Sequence, residues 1–141
     1  MPFFGCTCII KHSTILELYH LGNSVYDNNR FNEAASHFEA ALNIVKIPSF
    51  YISLGNSYFV TSDFRKALTT CQAALKAYRV KKDSQGEGNA LGNMGLAYYA
   101  LGQYNKAIEY YSQALATFEE IKSPYAEQVR KVLAELEAGG K

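Results

Sequence analysis

The chain has 141 residues, the length of one ordinary domain, and 48% of them are hydrophobic, which excludes an intrinsically disordered chain. The formal net charge of +1 excludes a strong overall attraction to nucleic acid or to an anionic membrane surface. The three cysteines, Cys6, Cys8 and Cys71, are an odd number and therefore a poor basis for a disulfide framework. Free thiols are typical of a reducing compartment, so we expect a cytoplasmic protein.

The first segment, residues 1–13, is predicted to be an apolar extension ahead of the folded region. Its stretch MPFFGCTCII lacks a basic beginning and is too short to cross a bilayer, and Lys11 and His12 end it. We therefore predict neither a signal peptide nor a membrane span. A metal ion held by Cys6, Cys8 and His12 has weak support, because a second pair of ligands is missing, so we predict no metal site.

Small residues recur at fixed intervals through the rest of the chain. Three glycines, Gly22, Gly55 and Gly95, are each followed twelve residues later by an alanine and seven residues after that by a second alanine, which precedes a leucine. The glycines are 33 and 40 residues apart, in the range of solenoids built from helix pairs. Glycine destabilises a helix, so its recurrence predicts close crossings between paired helices.

We predict three antiparallel helix pairs, at about residues 14–47, 48–82 and 84–122. Thr14 and Glu17 fit a capping box at the start of the first pair, and Ser84 and Glu87 fit one at the start of the third. The third pair should therefore begin directly after the second. The longer step between these two pairs is then expected to lengthen their helices rather than to add a loop.

A last helix is predicted over residues 124–138, with Pro124 at its first position. Val129, Val132, Leu133 and Leu136 form one apolar stripe along it, with charged residues outside the stripe. A solenoid exposes an apolar face at its end unless a further element covers it. We therefore expect this helix to cap the third pair.

With these spacings, the stretch from Ile15 to about Lys122 resembles the tetratricopeptide repeat family. The third copy, GEGNALGNMGLAYYALGQYNKAIEYYSQAL, is similar to the longer forty-residue variant of the repeat. The copies depart from the family pattern at Leu18, where tryptophan is preferred, and at Cys71, where a large apolar residue is usual. The resemblance implies an all-α, right-handed helical-repeat solenoid and a role in protein–protein interaction.

Catalytic chemistry finds little support in the sequence. Gly86, Gly88, Gly92 and Gly95 do not form a phosphate-binding motif, and no strand precedes them. The three histidines lie in no nucleophile or metal-ligand motif. We therefore predict that the chain is not an enzyme and has no cofactor and no small-molecule substrate. The basic stretch from Lys76 to Lys82 is interpreted as a solvated helix end rather than an anion-binding patch.

In the family, the first helix of each pair lines a concave groove that binds peptides or proteins. Carried over by position, the resemblance places a set of candidate binding residues in that groove: Tyr19, Asn23, Tyr26, Ile52, Asn56, Phe59, Asn89, Asn93, Leu96 and Tyr99. Tyr26, Phe59 and Tyr99 form an aromatic row, which could equally pack on a neighbouring helix. Asn23, Asn56 and Asn93 form an amide row, suited to hydrogen bonds with an extended peptide backbone, to solvation or to a structural hydrogen bond.

Some family members grip a chaperone's C-terminal carboxylate with lysine, arginine and asparagine side chains. The matching positions here carry Tyr19, Asn23, Ser53, Asn89 and Asn93. Without the cations, burial of a carboxylate would be poorly compensated, so we expect no binding of chaperone tails.

The leading hypothesis is a non-catalytic adaptor or scaffold that docks a peptide or a partner helix in its groove. The alternative is a self-associating structural or assembly-factor subunit, whose groove is filled by its own N-terminal segment or by another copy. An RNA-associated role through the basic stretch from Lys76 to Lys82 is a more distant alternative, and we expect no membrane partner.

Overall fold

The structure is a computed structural model that describes residues 21–24, 30–44 and 48–139. Its described part is all-α, with residues 21–24 helical and labelled α1. The further helices are α2 (Phe31–Ile44), α3 (Pro48–Val60), α4 (Phe64–Lys81), α5 (Ser84–Ala100), α6 (Tyr104–Glu120) and α7 (Tyr125–Gly139). The predicted extension over residues 1–13 and the capping box of Thr14 and Glu17 lie outside the described residues. None of the described helices is long and apolar enough to cross a membrane.

The helices pack mainly on their neighbours in sequence. From α2 onward each helix contacts the next, and α3 also contacts α5, so these two helices lie side by side. Their buried side chains form two clusters. The first core cluster runs from Ala34 to Leu54, and the second core cluster runs from Cys71 to Leu136. Tyr51 on α3 packs against both.

Two of the three repeated glycines lie at close helix crossings, as predicted. A methyl group added to Gly22 would lie 2.7 Å from the Phe38 ring, and one added to Gly95 would lie 2.9 Å from the Tyr111 ring. Either contact is too short for a real side chain, so the helix axes approach closely because the glycines are there. The crossing at Gly55 is looser, since the nearest atom to an added methyl group is Cys71 Sγ at 3.5 Å.

The last four helix junctions repeat one turn every twenty residues. In each turn, a residue with positive φ donates its N–H to the carbonyl three residues back, and the next N–H reaches the carbonyl five residues back. This is the Schellman arrangement that closes a helix and satisfies its last carbonyls. The positive-φ residues are Ser62, Lys82, Gly102 and Lys122.

The junction between α4 and α5 confirms one prediction and corrects another. The helices have 18 and 17 residues against 13 in α3, so the longer step between copies does lengthen helices. The cap of α5 is Asp83, however, and not Ser84: its carboxylate accepts a hydrogen bond from the backbone N–H of Gly86 at 3.0 Å. The Schellman turn at Lys82 is followed directly by Asp83, which has the extended conformation of a helix cap.

The last helix covers the α5/α6 pair. Val129, Leu133 and Leu136 are buried in the second core cluster, and Val132 packs against it. The helix begins at Tyr125, whose N–H donates to Ser123 Oγ at 3.3 Å, with Pro124 in the turn before it. The predicted apolar stripe is thus the face that packs on α6.

Candidate functional site

The candidate binding residues that the structure describes lie on α1, α3 and α5, and all of them are at least partly exposed. We call this surface the first-helix face; it is formed by Asn23, Ile52, Ser53, Asn56, Phe59, Asn89, Gly92, Asn93, Leu96 and Tyr99. Asn56, Asn89, Leu96 and Tyr99 are exposed, and the others are partly exposed. The predicted candidates Tyr19 and Tyr26 lie outside the described residues.

The amides of the first-helix face are available for a ligand. Within the described part of the chain, the side chains of Asn23, Asn56 and Asn93 make no hydrogen bond, whereas Asn89 Oδ1 accepts one from Gln85 Nε2 at 3.5 Å. An amide offers both donors and an acceptor, so it can pair with either group of a peptide backbone. The exposed and partly exposed amides could thus hold a chain of any sequence.

Asn23 and Asn56 come together across two helices. They line a small cavity of about 130 Å³, together with Ser53 and the ring of Phe38. Each of these asparagines directly follows a crossing glycine, so the crossing that brings α1 and α3 close to their partners also fixes the two amides. Asn93 departs from this register, because it precedes Gly95 by two residues and Leu96 stands at the equivalent position.

The aromatic residues of the first-helix face have intramolecular partners. The Phe59 ring lies 6.3 Å from that of Phe64, and the Tyr99 ring lies 5.4 Å from that of Tyr104, centroid to centroid. In both cases the end of one helix contacts the beginning of its partner. Phe59 is partly buried against the second core cluster, whereas Tyr99 remains 47% exposed. Packing therefore accounts for Phe59 more fully than for Tyr99.

A larger cavity opens where α5 ends, α6 begins and α7 ends. Its volume is about 540 Å³, and it is lined by Leu96, Tyr99, Tyr104, Tyr111, Val132, Glu135, Leu136 and Gly139. We call it the α5–α7 cavity. Burial raises the pKa of the Tyr111 phenol in its wall to about 12, so this hydroxyl stays protonated at neutral pH. The volume is in the range of small-ligand and side-chain pockets.

The first-helix face carries almost no charge. The sequence of α3, PSFYISLGNSYFV, contains no charged residue, and that of α5 contains only Glu87. The Glu87 carboxylate is paired with Arg79 Nε at 3.0 Å. The cations of α4, among them the exposed Lys81, lie on the paired helix instead. A molecule placed on this face would meet hydrogen-bonding groups and apolar side chains rather than charges.

The sequence indicated the helices that bear the site but missed the α5–α7 cavity. The apolar stripe of the last helix predicts a packing face, and nothing in the spacing of Tyr104 marks an opening beside that stripe. The one usable signal was that Tyr104 stands at the same place after its glycine as Phe64 does after Gly55. Among the described residues, no group of three or more histidine, cysteine or carboxylate side chains could hold a metal ion.

Neighbour-on-neighbour helix packing, glycine crossings and a capping helix define a helical-repeat solenoid. The chain belongs to the tetratricopeptide repeat family, whose profile matches residues 46–120. It is 28% identical to the heat shock protein sti1 homolog of Schizosaccharomyces pombe over 96 residues, which are 67% of this chain and 16% of that protein. The chain thus spans about a sixth of that relative's length.

Solved structures agree on the fold. The N-terminal domain of stress-induced protein-1 (STI-1) from C. elegans superimposes with a TM-score of 0.79 at 22% identity, covering 90% of this chain and 97% of that one. The complex of the TPR2AB domain of yeast Sti1 with pHSP90 gives a TM-score of 0.73 at 22% identity, covering 92% of this chain and 51% of that one. Both likenesses place this chain among right-handed helical-repeat solenoids.

Proposed function

We propose that this chain is a non-catalytic protein-binding module that docks an extended peptide or a partner helix along the first-helix face. The observation that carries the proposal is the set of amides on one uncharged surface, with Asn23 and Asn56 lining a common cavity and making no hydrogen bond within the described residues. Asparagine is a mediocre helix former, so its recurrence at mid-helix favours a role outside the helix. Membership of a family with partner-bound examples, such as yeast Sti1 with pHSP90, supports this reading.

The partner is expected to differ from an acidic chaperone tail. A terminal carboxylate needs cations or several aligned donors to offset its loss of hydration. Neither α3 nor α5 contains a lysine or an arginine, so these helices supply no cation to the first-helix face. Likeness to Sti1 therefore supports the docking mode and not the identity of the partner.

The test begins with defined ligands. Peptides selected from a phage-displayed library of random 12-residue sequences are measured against the full chain by fluorescence anisotropy. Replacing Asn56 and Asn93 together by alanine should weaken these peptides more than tenfold, because two hydrogen bonds at about 1 kcal/mol each exceed the roughly 1.4 kcal/mol that a factor of ten requires. The helical spectrum and the melting temperature should stay nearly unchanged.

The matched control reverses charge on the other surface. Lys81→Glu with Lys82→Glu should leave the same peptides bound. If the lysine variant loses them and the asparagine variant keeps them, the working surface is the end of α4 and the proposal is wrong.

The self-association alternative is tested separately, since residues 1–13 lie outside the described part of the chain. Sedimentation at several concentrations compares the full chain with one lacking residues 1–12. A full chain that associates, together with a truncated chain that is monomeric and binds the selected peptides more tightly, favours the alternative. Monomers in both cases, with equal affinity for the selected peptides, favour the docking module.

A further inference from the structure

The α5–α7 cavity gathers exposed apolar surface at one place. The described residues include eight large hydrophobic side chains that are exposed, and three of them, Leu96, Tyr99 and Tyr104, line this cavity. Their exposed fractions are 42%, 47% and 41%. The wall behind them is formed by the buried Tyr111 and Leu136. Exposed apolar side chains are unremarkable when scattered, but together around a hollow they mark a binding site.

A glycine beside the cavity has no structural partner. On the same helix, side chains added at Gly86, Gly88 and Gly95 would collide with the rings of Tyr78, Phe118 and Tyr111. Packing therefore explains those glycines. A methyl group added at Gly92, by contrast, would meet nothing within 4 Å. Gly92 lies one turn before Leu96, on the first-helix face.

An open glycine at mid-helix destabilises the helix without improving its packing. Glycine is otherwise used where another backbone must approach closely. The free space over Gly92 therefore fits a partner's main chain crossing α5 on its way to the cavity.

A carboxylate lines the cavity. Among the described residues, Glu135 is the one charged side chain in the lining, and it is exposed. Of the three helices that line the cavity, α5 carries only Glu87, which pairs with Arg79, and the charged side chains of α6 and α7 other than Glu135 do not line the cavity. A carboxylate beside an apolar hollow favours a cation next to the apolar group that fills the hollow.

We propose that the α5–α7 cavity is an anchor site for a partner peptide in extended conformation. One bulky apolar side chain of the peptide enters the cavity, its backbone passes over Gly92, and a lysine or arginine next to the anchor pairs with Glu135. This inference rests on the proposed function, to which it adds the sequence class of the partner.

The experiment uses the same 12-residue library with the full chain. The wild-type chain should select peptides with one large apolar residue next to a lysine or arginine. Glu135→Lys should reverse the neighbour preference to aspartate or glutamate and weaken the wild-type peptides by at least about tenfold. Glu137→Lys is the matched control, because Glu137 is exposed on the same helix but does not line the cavity; it should change affinity by less than about twofold.

Gly92 has its own matched pair of variants. Gly92→Leu should weaken the peptides by at least about tenfold without lowering the melting temperature, since the added side chain meets open space. Ala116→Leu adds comparable bulk at an exposed site of α6 and should leave binding unchanged.

The outcomes separate the two proposals. Peptides that need Asn56 but tolerate Glu135→Lys and Gly92→Leu overturn the anchor site and leave the docking function standing. A library that yields no binder to the wild-type chain overturns both. If a chain lacking residues 1–12 binds the peptides more than about tenfold better, the cavity belongs to the chain's own segment, and its assignment to a partner is overturned.

Discussion

The α3/α4 pair and the α5/α6 pair both cross at a glycine, but the helices pack more closely at one crossing than at the other. In the α3/α4 pair, a methyl group added at Gly55 would lie 3.5 Å from the Cys71 thiol. In the α5/α6 pair, a methyl group added at Gly95 would lie 2.9 Å from the Tyr111 ring. The same glycine is thus required in one pair and merely tolerated in the other. What decides is the residue sixteen positions later on the partner helix, and not the glycine itself.

The turns inside the two pairs differ in backbone strain, and here the α3/α4 pair has the less favourable residue. Ser62 adopts φ 61° at the turn between α3 and α4, and Gly102 adopts φ 78° at the turn between α5 and α6. A side chain in this left-handed region is strained, whereas glycine is not. The pair with the looser crossing therefore carries the strained turn, so tight packing and relaxed backbone occur together in the α5/α6 pair.

The largest effect should come from uncovering the α5/α6 pair. The α3/α4 pair lies between α2 and α5, but the far side of α6 is covered by α7. Removing residues 124–141 should expose the second core cluster and cause aggregation, detected by sedimentation. In the full chain, Leu133→Ala should lower the free energy of unfolding by about 2–5 kcal/mol in urea titrations.

Its control is the neighbouring exposed residue. Ala134→Ser should change the free energy of unfolding by no more than about 0.5 kcal/mol. A truncated chain that stays monomeric and equally stable would contradict the capping role of α7.

Replacing the crossing glycine by alanine should change the free energy of unfolding in opposite directions in the two pairs. Gly95→Ala should destabilise the chain by about 1–3 kcal/mol, because the methyl group overlaps the Tyr111 ring in a buried site. Gly55→Ala should stabilise it by up to about 1 kcal/mol, because the space exists and alanine favours the helix. Urea titrations of both variants measure the difference, and two changes of the same sign would remove the distinction between the pairs.

Substitutions in the turns should change stability least, and the two turns should again respond in opposite directions. Ser62→Gly should stabilise the chain by about 1 kcal/mol through relief of the left-handed strain, and Gly102→Ser should destabilise it by a similar amount. Thermal unfolding followed by circular dichroism can resolve both. Stabilisation by Lys82→Gly, at the equivalent turn between the pairs, would extend the rule; equal melting temperatures in all three variants would argue against strain in these turns.

The sequence predicted the features that depend on periodic spacing, namely the helix crossings and the longer helices. Recurrent glycines and alanines located the crossings, and the longer step between copies was correctly assigned to longer helices. The cap of α5 was predicted one residue late, because both Asp83 and Ser84 suit a helix start and only the preceding Schellman turn decides between them.

The parts that the sequence could not predict depend on distant neighbours. Gly88 and Gly92 are alike in sequence, four residues apart on one helix. Only Gly88 faces a ring, that of Phe118. The α5–α7 cavity likewise unites side chains from Leu96 to Gly139. Spacing along the chain predicts which face of a helix a residue occupies, but not whether another side chain packs against that face.

The two core clusters determine how the molecule should respond to force. Tyr51 packs against both clusters, so it lies at the border between them. In a solenoid, stability is approximately the sum of contacts between neighbouring repeats. The border between two core clusters is therefore where the chain should first unfold into separate units. A load applied from the N-terminal side would first separate the α2–α3 unit from the α4–α7 unit, and the α4–α7 unit would yield in a later step. The chain would then lengthen in stages under tension and keep the α5–α7 cavity intact through the first of them.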